Sequence, residues 1–252
     1  MTDIRYVRYR NCYGQDLYFD NRIFFAEEIH IGGTPAKYDS LSLFDSPGII
    51  TDNYSYEPMP IRFRFALKDK SSTRADRDRA VNIFTPTAPG IITIYTQDDE
   101  YSIDAHLTAV PDFTRANSHV WRWEASFIAD FPFFRKGRIK QRYEAVPDAA
   151  TKIVNVYSSS PVPVHPEITV PPHTVFIDCG FFINYGDWAT LNTSDYSLYD
   201  ENGNDISNCL SLSSGYTNVD DIYLYPGNTS LKINTNGGKC IIEWWELRGG
   251  II

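Results

Sequence analysis

The chain of 252 residues lacks the features that mark membrane-spanning and disulfide-rich proteins. It has no run of about 18 apolar residues, so no transmembrane helix is expected. Its first ten residues, MTDIRYVRYR, contain no apolar signal core. The four cysteines, Cys12, Cys179, Cys209 and Cys240, have no CxxC spacing, which predicts reduced and mostly buried thiols. We therefore expect a soluble chain that stays inside the cell that makes it.

The short motifs of catalytic sites are also missing. There is no GxSxG, HExxH, P-loop or GxGxxG, so we expect no enzyme activity, no cofactor and no metal. Asp104 and His106 share one face of a predicted strand, and we interpret this acid-base pair as solvated surface. The acidic run Asp200–Asp205 lacks the ligand spacing of an EF-hand and predicts a hairpin turn instead.

Basic residues are scarce in the second half of the chain. Lys and Arg number 19 up to Tyr143, equal to the 19 Asp and Glu there. From Glu144 onward there are 4 basic and 13 acidic residues, so this half carries the whole net charge of −9. An acidic half disfavours unassisted binding to nucleic acid and to anionic membranes, since both need a basic surface.

Aromatic residues are plentiful, at 15% of the chain, and apolar residues alternate with polar ones over several stretches. The alternation at 61–67, 101–109 and 121–129 is typical of strands with one buried face, and the segments around the turn at 98–100 predict a hairpin. One helix is predicted, from the capping residue Thr73 to the stop at Pro86. The sequence thus predicts an all-β fold with one short helix.

Two domains are predicted, with the boundary near residues 141–150. The first, residues 1–143, is expected to be a β-sandwich or barrel-like unit that closes at the proline-broken run Asp130–Phe134. The second, residues 144–252, shows short strand patterns at residues 175–177, 196–199, 222–225, 231–233 and 241–247. With the tight-turn pairs Asn202-Gly203 and Asn236-Gly237, they predict an antiparallel β-sandwich. We expect its proline-rich segment Ser158–His173 to be a stiff arm or an edge segment and not a central strand.

Aromatic residues of the second domain suggest one possible ligand site. A sugar-stacking platform is one interpretation and core packing is the other, and because Trp244 and Trp245 are consecutive on a strand, one of them must face inward. The candidate residues are Tyr185, Trp188, Tyr216, Trp244 and Trp245.

Three stretches, at residues 6–16, 74–94 and 110–137, together resemble the siphophage distal tail proteins. Residues 6–16, YVRYRNCYGQD, resemble the opening strand and turn of that family. Residues 74–94, RADRDRAVNIFTPTAPGIITI, resemble its basic helix, helix stop and glycine-containing strand. Residues 110–137, VPDFTRANSHVWRWEASFIADFPFFRKG, resemble the apolar strand and aromatic exit that close its N-terminal domain.

The resemblance implies a structural virion protein, encoded by a phage or prophage, made in the bacterial cytoplasm and placed in the phage tail. Its N-terminal domains would form a homo-hexameric ring that joins the tail tube to the tip or baseplate, with DNA passing through the lumen without specific binding. The C-terminal domain would be a galectin-like β-sandwich that attaches the tail-tip and receptor-binding proteins. No galectin-type sugar-binding signature is present. The alternative interpretation is a carbohydrate-binding module for host-surface recognition.

Overall fold

The computed structural model of the chain describes residues 4–20, 22–33, 36–42, 49–68, 74–84, 89–117, 120–212 and 221–250. The chain divides into two compact units: unit 1 comprises residues 1–137 and 248–252, and unit 2 comprises residues 138–247. The change from unit 1 to unit 2 falls inside one strand, between Gly137 and Arg138. The predicted domain boundary between residues 143 and 144 stays a prediction.

The described part of unit 1 is almost entirely β, with one short helix, which confirms the predicted fold class. Its elements are β1 (Ile4–Arg10), β2 (Asp16–Phe19), β3 (Phe24–Ile31), β4 (Ala36–Ser42), β5 (Ile49–Tyr56), β6 (Met59–Lys68), α1 (Arg74–Ile83), β7 (Gly90–Thr96), β8 (Glu100–Leu107), β9 (Asp112–Asn117), β10 (Val120–Ala129) and the start of β11 (Phe134–Ala145).

The strands of unit 1 pair antiparallel and curl around one core. The order runs β2–β1–β7–β8–β10–β6–β3, with β9 also on β10 and with β4 and β5 forming a separate hairpin. Phe19 of β2 packs at 6.3 Å from Phe24 of β3 and at 4.8 Å from Phe65 of β6, measured between ring centroids. The two ends of the strand order therefore meet, as in a barrel.

The alternation seen in the sequence decides which face of each strand is buried. Along β10, Trp123, Ala125, Phe127 and Ala129 are buried, and Trp121 packs against the same core. The register pairs Trp123 with Phe65 of β6. Every second residue of β6, from Met59 to Leu67, is buried too. The predicted half-buried strands and the β7–β8 hairpin are confirmed.

Helix α1 completes the aromatic core of unit 1. Ala80, Ile83 and Phe84 are buried, and the Phe84 ring lies 5.3 Å from Tyr9 and 5.7 Å from Phe65. The predicted helix is confirmed over Arg74–Ile83, whereas Thr73 and Pro86 lie outside the described residues.

Gly90 marks the place where β7 begins beside β1. A Cβ atom at this position would lie 2.5 Å from the Tyr9 ring and 2.7 Å from the carbonyl oxygen of Arg10. Only glycine lets the two backbones approach this closely without displacing the buried tyrosine.

Unit 2 consists of strands and turns arranged in two sheets. Its elements are the remainder of β11, β12 (Ile153–Ser158), β13 (Glu167–Val170), β14 (Val175–Phe176), β15 (Phe181–Ile183), β16 (Ala189–Asn192), β17 (Ser197–Asp200), a 3₁₀ turn (Ser207–Cys209), β18 (Leu210–Leu212), β19 (Gly227–Asn234) and β20 (Cys240–Arg248).

The two sheets of unit 2 pack face to face. One has the order β17–β16–β13–β20–β11 and the other β12–β19–β14–β15–β18. Ile168 of the first sheet lines a small cavity together with Phe176 and Ile233 of the second. The unit is therefore a β-sandwich, and its galectin-like character stays a prediction.

The expectation for the proline-rich segment was wrong. Residues 167–170 form β13, which lies between β16 and β20 in the interior of its sheet. The prolines flank this strand, with Pro166 before it and Pro171 after it, so every residue inside it keeps its N–H donor. The segment thus contains a central strand between two proline-rich connections.

Three further expectations can be compared with the structure. The turns at Asn202-Gly203 and Asn236-Gly237 form, with positive φ at Gly203, Asn236 and Gly237. Residues 222–225 do not form a strand, and only an isolated bridge joins Leu224 to Val164. The four cysteines are not joined in disulfides, but Cys240 alone among them is buried, so the expectation of mostly buried cysteines was wrong. Burial raises the pKa of Cys240 to about 11.

Removing one ring from the aromatic core should destabilise unit 1 strongly. We expect Phe127→Ala to lower the free energy of unfolding by about 3–5 kcal/mol, because loss of the buried ring leaves a cavity between Tyr9 and Phe63. Ile128→Ala, at the next and more exposed position, should cost less than about 1 kcal/mol. Urea denaturation of both variants measures the difference, and equal losses would contradict this placement of the core.

Candidate assembly and binding surfaces

The one acid-base pair suggested by the sequence has separate partners in the structure. Asp104 accepts a hydrogen bond from the Arg135 guanidinium at 2.8 Å, and His106 Nε2 lies 2.8 Å from a carboxylate oxygen of Asp130. Within the described ranges, no group of three or more His, Cys, Asp or Glu side chains is placed to hold a metal ion. Nor is any helix in those ranges long and apolar enough to cross a membrane.

The acidic run of unit 2 forms a turn, as predicted. One Asp200 oxygen accepts hydrogen bonds from the backbone N–H groups of Asn202 and Asn204 at 2.9 and 2.8 Å. The other oxygen accepts one from the Asn204 side chain, and these bonds, led by that of the side chain, lower the pKa of Asp200. The carboxylate therefore stabilises the turn.

Arginine and tyrosine side chains cover the outer face of β1, β2 and β7. The rings of Tyr6 and Tyr95 stack at 4.1 Å, and the Arg8 guanidinium lies 5.9 Å from the Tyr95 ring centroid. This arrangement restrains side chains that would otherwise be mobile, so it presents a defined basic surface. We call it the Arg-Tyr face, defined by Tyr6, Arg8, Arg10, Tyr18 and Tyr95.

Asp16 organises the arginines of the Arg-Tyr face. Its two carboxylate oxygens each accept a 2.8 Å hydrogen bond from Arg10, and one of them lies 3.9 Å from Arg8 Nε. Arg79 donates to the Asp16 backbone oxygen at 3.1 Å. The hydrogen bond from Arg10 is the main cause that lowers the pKa of Asp16, with burial opposing it.

A second polar surface covers the outer face of β3, β6 and β10. Arg64 lies between two carboxylates, 3.1 Å from Glu28 and 3.5 Å from Glu124. Arg122 donates to both oxygens of Glu27 at 2.9 and 2.8 Å. These opposite charges compensate one another across strands, which is typical of a solvated sheet face.

Aromatic side chains cluster where β10 ends and the chain enters β11. Phe133 is buried, and its ring lies 5.1 Å from Phe131 and 4.8 Å from Tyr56. Phe131 and Tyr56 are 54% and 44% exposed. We call these three residues the aromatic rim. Exposed rings anchored on a buried one are a frequent feature of protein interfaces.

The structure separates the residues predicted for sugar stacking. Trp244 is buried and Trp245 is half-buried, on alternate sides of β20, and both line one groove of unit 2. Tyr185 and Trp188 lie in the connection between β15 and β16 and are not part of that groove's lining. Tyr216 lies outside the described residues.

The groove beside Trp245 has polar residues that sequence reasoning missed. It has a volume of about 180 Å³ on the sheet that contains β13, β16 and β20. Antiparallel pairing aligns Asn192 of β16, Glu167 of β13 and Glu243 of β20 in one row. The other lining residues are Lys140, His165, Ser194, Trp244 and Trp245.

Comparison with known proteins gives structural neighbours only. No family model matches the chain, and no curated protein matches it in sequence. The crystal structure of SPP1 Dit (gp 19.1), a paradigm of the hub adsorption apparatus in Gram-positive infecting phages, matches with a TM-score of 0.66 at 14% identity, over 96% of this chain and 99% of that one. The chain has the SPP1 Dit fold.

Two weaker matches are also found. The phage P2 baseplate in its activated conformation with Ca gives a TM-score of 0.47 at 10% identity, over 95% of this chain and 97% of that one. The same baseplate with Sr gives a TM-score of 0.45 at 9% identity, over 96% and 98%.

The role of Asp16 can be tested through the pH dependence of stability. We expect Asp16→Asn to lower the free energy of unfolding by about 0.5–1 kcal/mol at pH 7, because the pair with Arg10 is partly exposed. Folding lowers the pKa of this carboxyl group below its ordinary value of about 3.9, so the charged carboxylate stabilises the fold fully at pH values above about 3.9. This stabilisation is lost as the pH falls through the lower pKa of the folded state. The difference between the two proteins should therefore disappear in acid.

Urea denaturation across a pH series measures this difference. Asp20→Asn is the matched control, since Asp20 pairs at 3.5 Å with an Arg22 side chain that is 87% exposed. A difference for Asp16→Asn that persists unchanged below the folded-state pKa would show that its charge is not the cause.

Proposed function

We propose that this chain is a structural, non-enzymatic subunit of a phage tail hub, which connects the tail tube to the tip or baseplate. The observation that carries the proposal is the end-to-end match to SPP1 Dit, which includes both units of the chain and nearly all of the neighbour. A match over one unit alone would support a shared domain, whereas a match over both supports a shared architecture. The protein would lie in the virion tail, beside other tail proteins.

Unit 1 is the proposed ring-forming part, in a homo-hexamer. A closed ring needs two different and complementary surfaces on each subunit, because each contact is heterologous. Unit 1 has two candidates of different chemistry, the apolar aromatic rim and the basic Arg-Tyr face. A channel that passes DNA must not hold phosphates tightly, so we place the Arg-Tyr face at protomer contacts and not on the channel wall.

Unit 2 is the proposed attachment part for other tail proteins. Residues 153–231 contain nine Asp and Glu residues and no Lys or Arg. This strongly acidic stretch disfavours contact with DNA and favours partners with basic surfaces.

The oligomeric state tests the hub proposal directly. We expect the purified chain to form a hexamer by light scattering after size exclusion, and to show six-fold rings by negative-stain microscopy. Rings without measurable affinity for duplex DNA at physiological salt would support the placement of the Arg-Tyr face. A chain that stays monomeric at every concentration, or tight DNA binding by the ring, would contradict the respective part of the proposal.

The aromatic rim gives a sharper test of the ring contact. We expect Phe131→Lys to weaken self-association by roughly 30-fold or more, since it removes an exposed ring and places a positive charge opposite the basic Arg-Tyr face of the next subunit. The thermal midpoint of a dilute sample should stay close to that of the parent, because the side chain is more than half exposed.

Tyr157→Lys is the matched control for that variant. Tyr157 lies on β12 of unit 2 and is 64% exposed. Its substitution therefore introduces the same charge at an exposed aromatic position that is not part of the proposed contact. Mass photometry over a dilution series compares the two variants. Equal association of Phe131→Lys and the parent would exclude the aromatic rim as a ring contact.

A further inference from the structure

The groove of unit 2 contains a grid of side chains that three strands hold in register. Glu167 of β13 pairs with Asn192 on one side and with Glu243 on the other. Trp245 follows Glu243 by two residues along β20, so it falls on the same side of the sheet as that row, and His165 lies in the connection just before β13. All five residues line the groove.

The two carboxylates that line this groove each have a cationic partner. Glu167 pairs with the Lys140 ammonium, and Glu243 lies 3.4 Å from a guanidinium nitrogen of Arg142. Arg142 also donates to Glu144 at 2.8 Å. Because each carboxylate has a cationic partner, the groove offers little net charge to an ion and favours an uncharged ligand.

Polar groups and an aromatic side chain line the groove where such a ligand would lie. The Asn192 side-chain oxygen accepts hydrogen bonds from the Ser194 N–H at 3.1 Å and hydroxyl at 2.8 Å, which fixes the amide and leaves its NH₂ group as a donor. The His165 ring is held 4.2 Å from the Tyr223 ring, between centroids. The half-buried indole of Trp245 adds an apolar surface next to these donors and acceptors.

We propose that this groove binds one ring of a neutral saccharide. A sugar ring combines an apolar face, which fits an indole, with hydroxyl groups that exchange hydrogen bonds with amide, imidazole and carboxylate groups. The volume of about 180 Å³ lies below the roughly 300 Å³ of sites for drug-sized ligands, so a single ring is the matching size. The site shares no residue with the aromatic rim or the Arg-Tyr face, and it does not depend on the proposed hub role.

Ligand-observed NMR titration of the full-length chain tests the proposal. The probes are neutral hexoses, their N-acetylated forms and, as charged comparisons, hexuronic acids and hexosamines, each up to about 50 mM, well above the dissociation constant of about 1 mM expected for a single sugar ring. We expect saturable binding of at least one neutral sugar and weaker binding of its charged counterparts.

Variants locate the binding. Trp245→Ala and Asn192→Ala should each weaken it by tenfold or more, whereas Trp245→Phe should retain most of it, because a planar apolar wall remains. Trp188→Ala is the matched control, since this tryptophan of unit 2 is not among the residues lining the groove. Circular dichroism checks that each variant is folded, and Asn192→Ala keeps the test decisive if Trp245→Ala unfolds.

The outcomes separate cleanly. Loss in the two groove variants with retention in the control supports the site. No saturable binding by any neutral sugar, equal binding by Asn192→Ala, or preference for charged sugars overturns it. Light scattering on the same samples reports ring formation independently, so failure of the saccharide site and failure of the hub proposal are distinguishable.

Discussion

The packing of aromatic rings inside unit 1 is the constraint on which its strand arrangement depends. Phe65 of β6 contacts Phe19 of β2, Phe84, which directly follows α1, and Trp123 of β10. These elements are far apart in sequence, so the contacts draw the strand order into a closed curve around one core. The helix, the barrel-like closure and the exposed outer faces all follow from keeping these rings away from water.

Sequence periodicity predicted unit 1 well because its strands have one buried and one solvated face. Alternation in β6, β8 and β10 gives each a clear period of two, and the single helix begins and ends near capping and proline signals. Periodicity predicted the strands of unit 2 less well, because several of them have only two to four residues and are too short to show a period. Strand β13 was missed for this reason, since the prolines around its four residues dominated the pattern.

The candidate sites were predictable only in part. The order of residues along β20 was enough to predict that Trp244 and Trp245 point to opposite faces. The partners of Trp245 come from β13, β16 and the connections beside them, and their alignment depends on strand pairing that a single sequence does not reveal. Residue type alone does not separate the candidates, because Tyr185 and Trp188 are aromatic like Trp245 but lie in the connection between β15 and β16, whereas Trp245 lies on β20.

The prolines around β13 also limit how this strand can move. A shift by one residue would turn Glu167 toward the interior and Ile168 toward water. It would also bring Pro166 or Pro171 into a ladder position that requires an N–H group, so the shifted pairing would lose a hydrogen bond on top of the misplaced side chains. The two imino acids therefore fix the register of this four-residue strand from both ends. The alignment of neighbouring side chains on that sheet is determined by the covalent structure of the prolines as well as by packing.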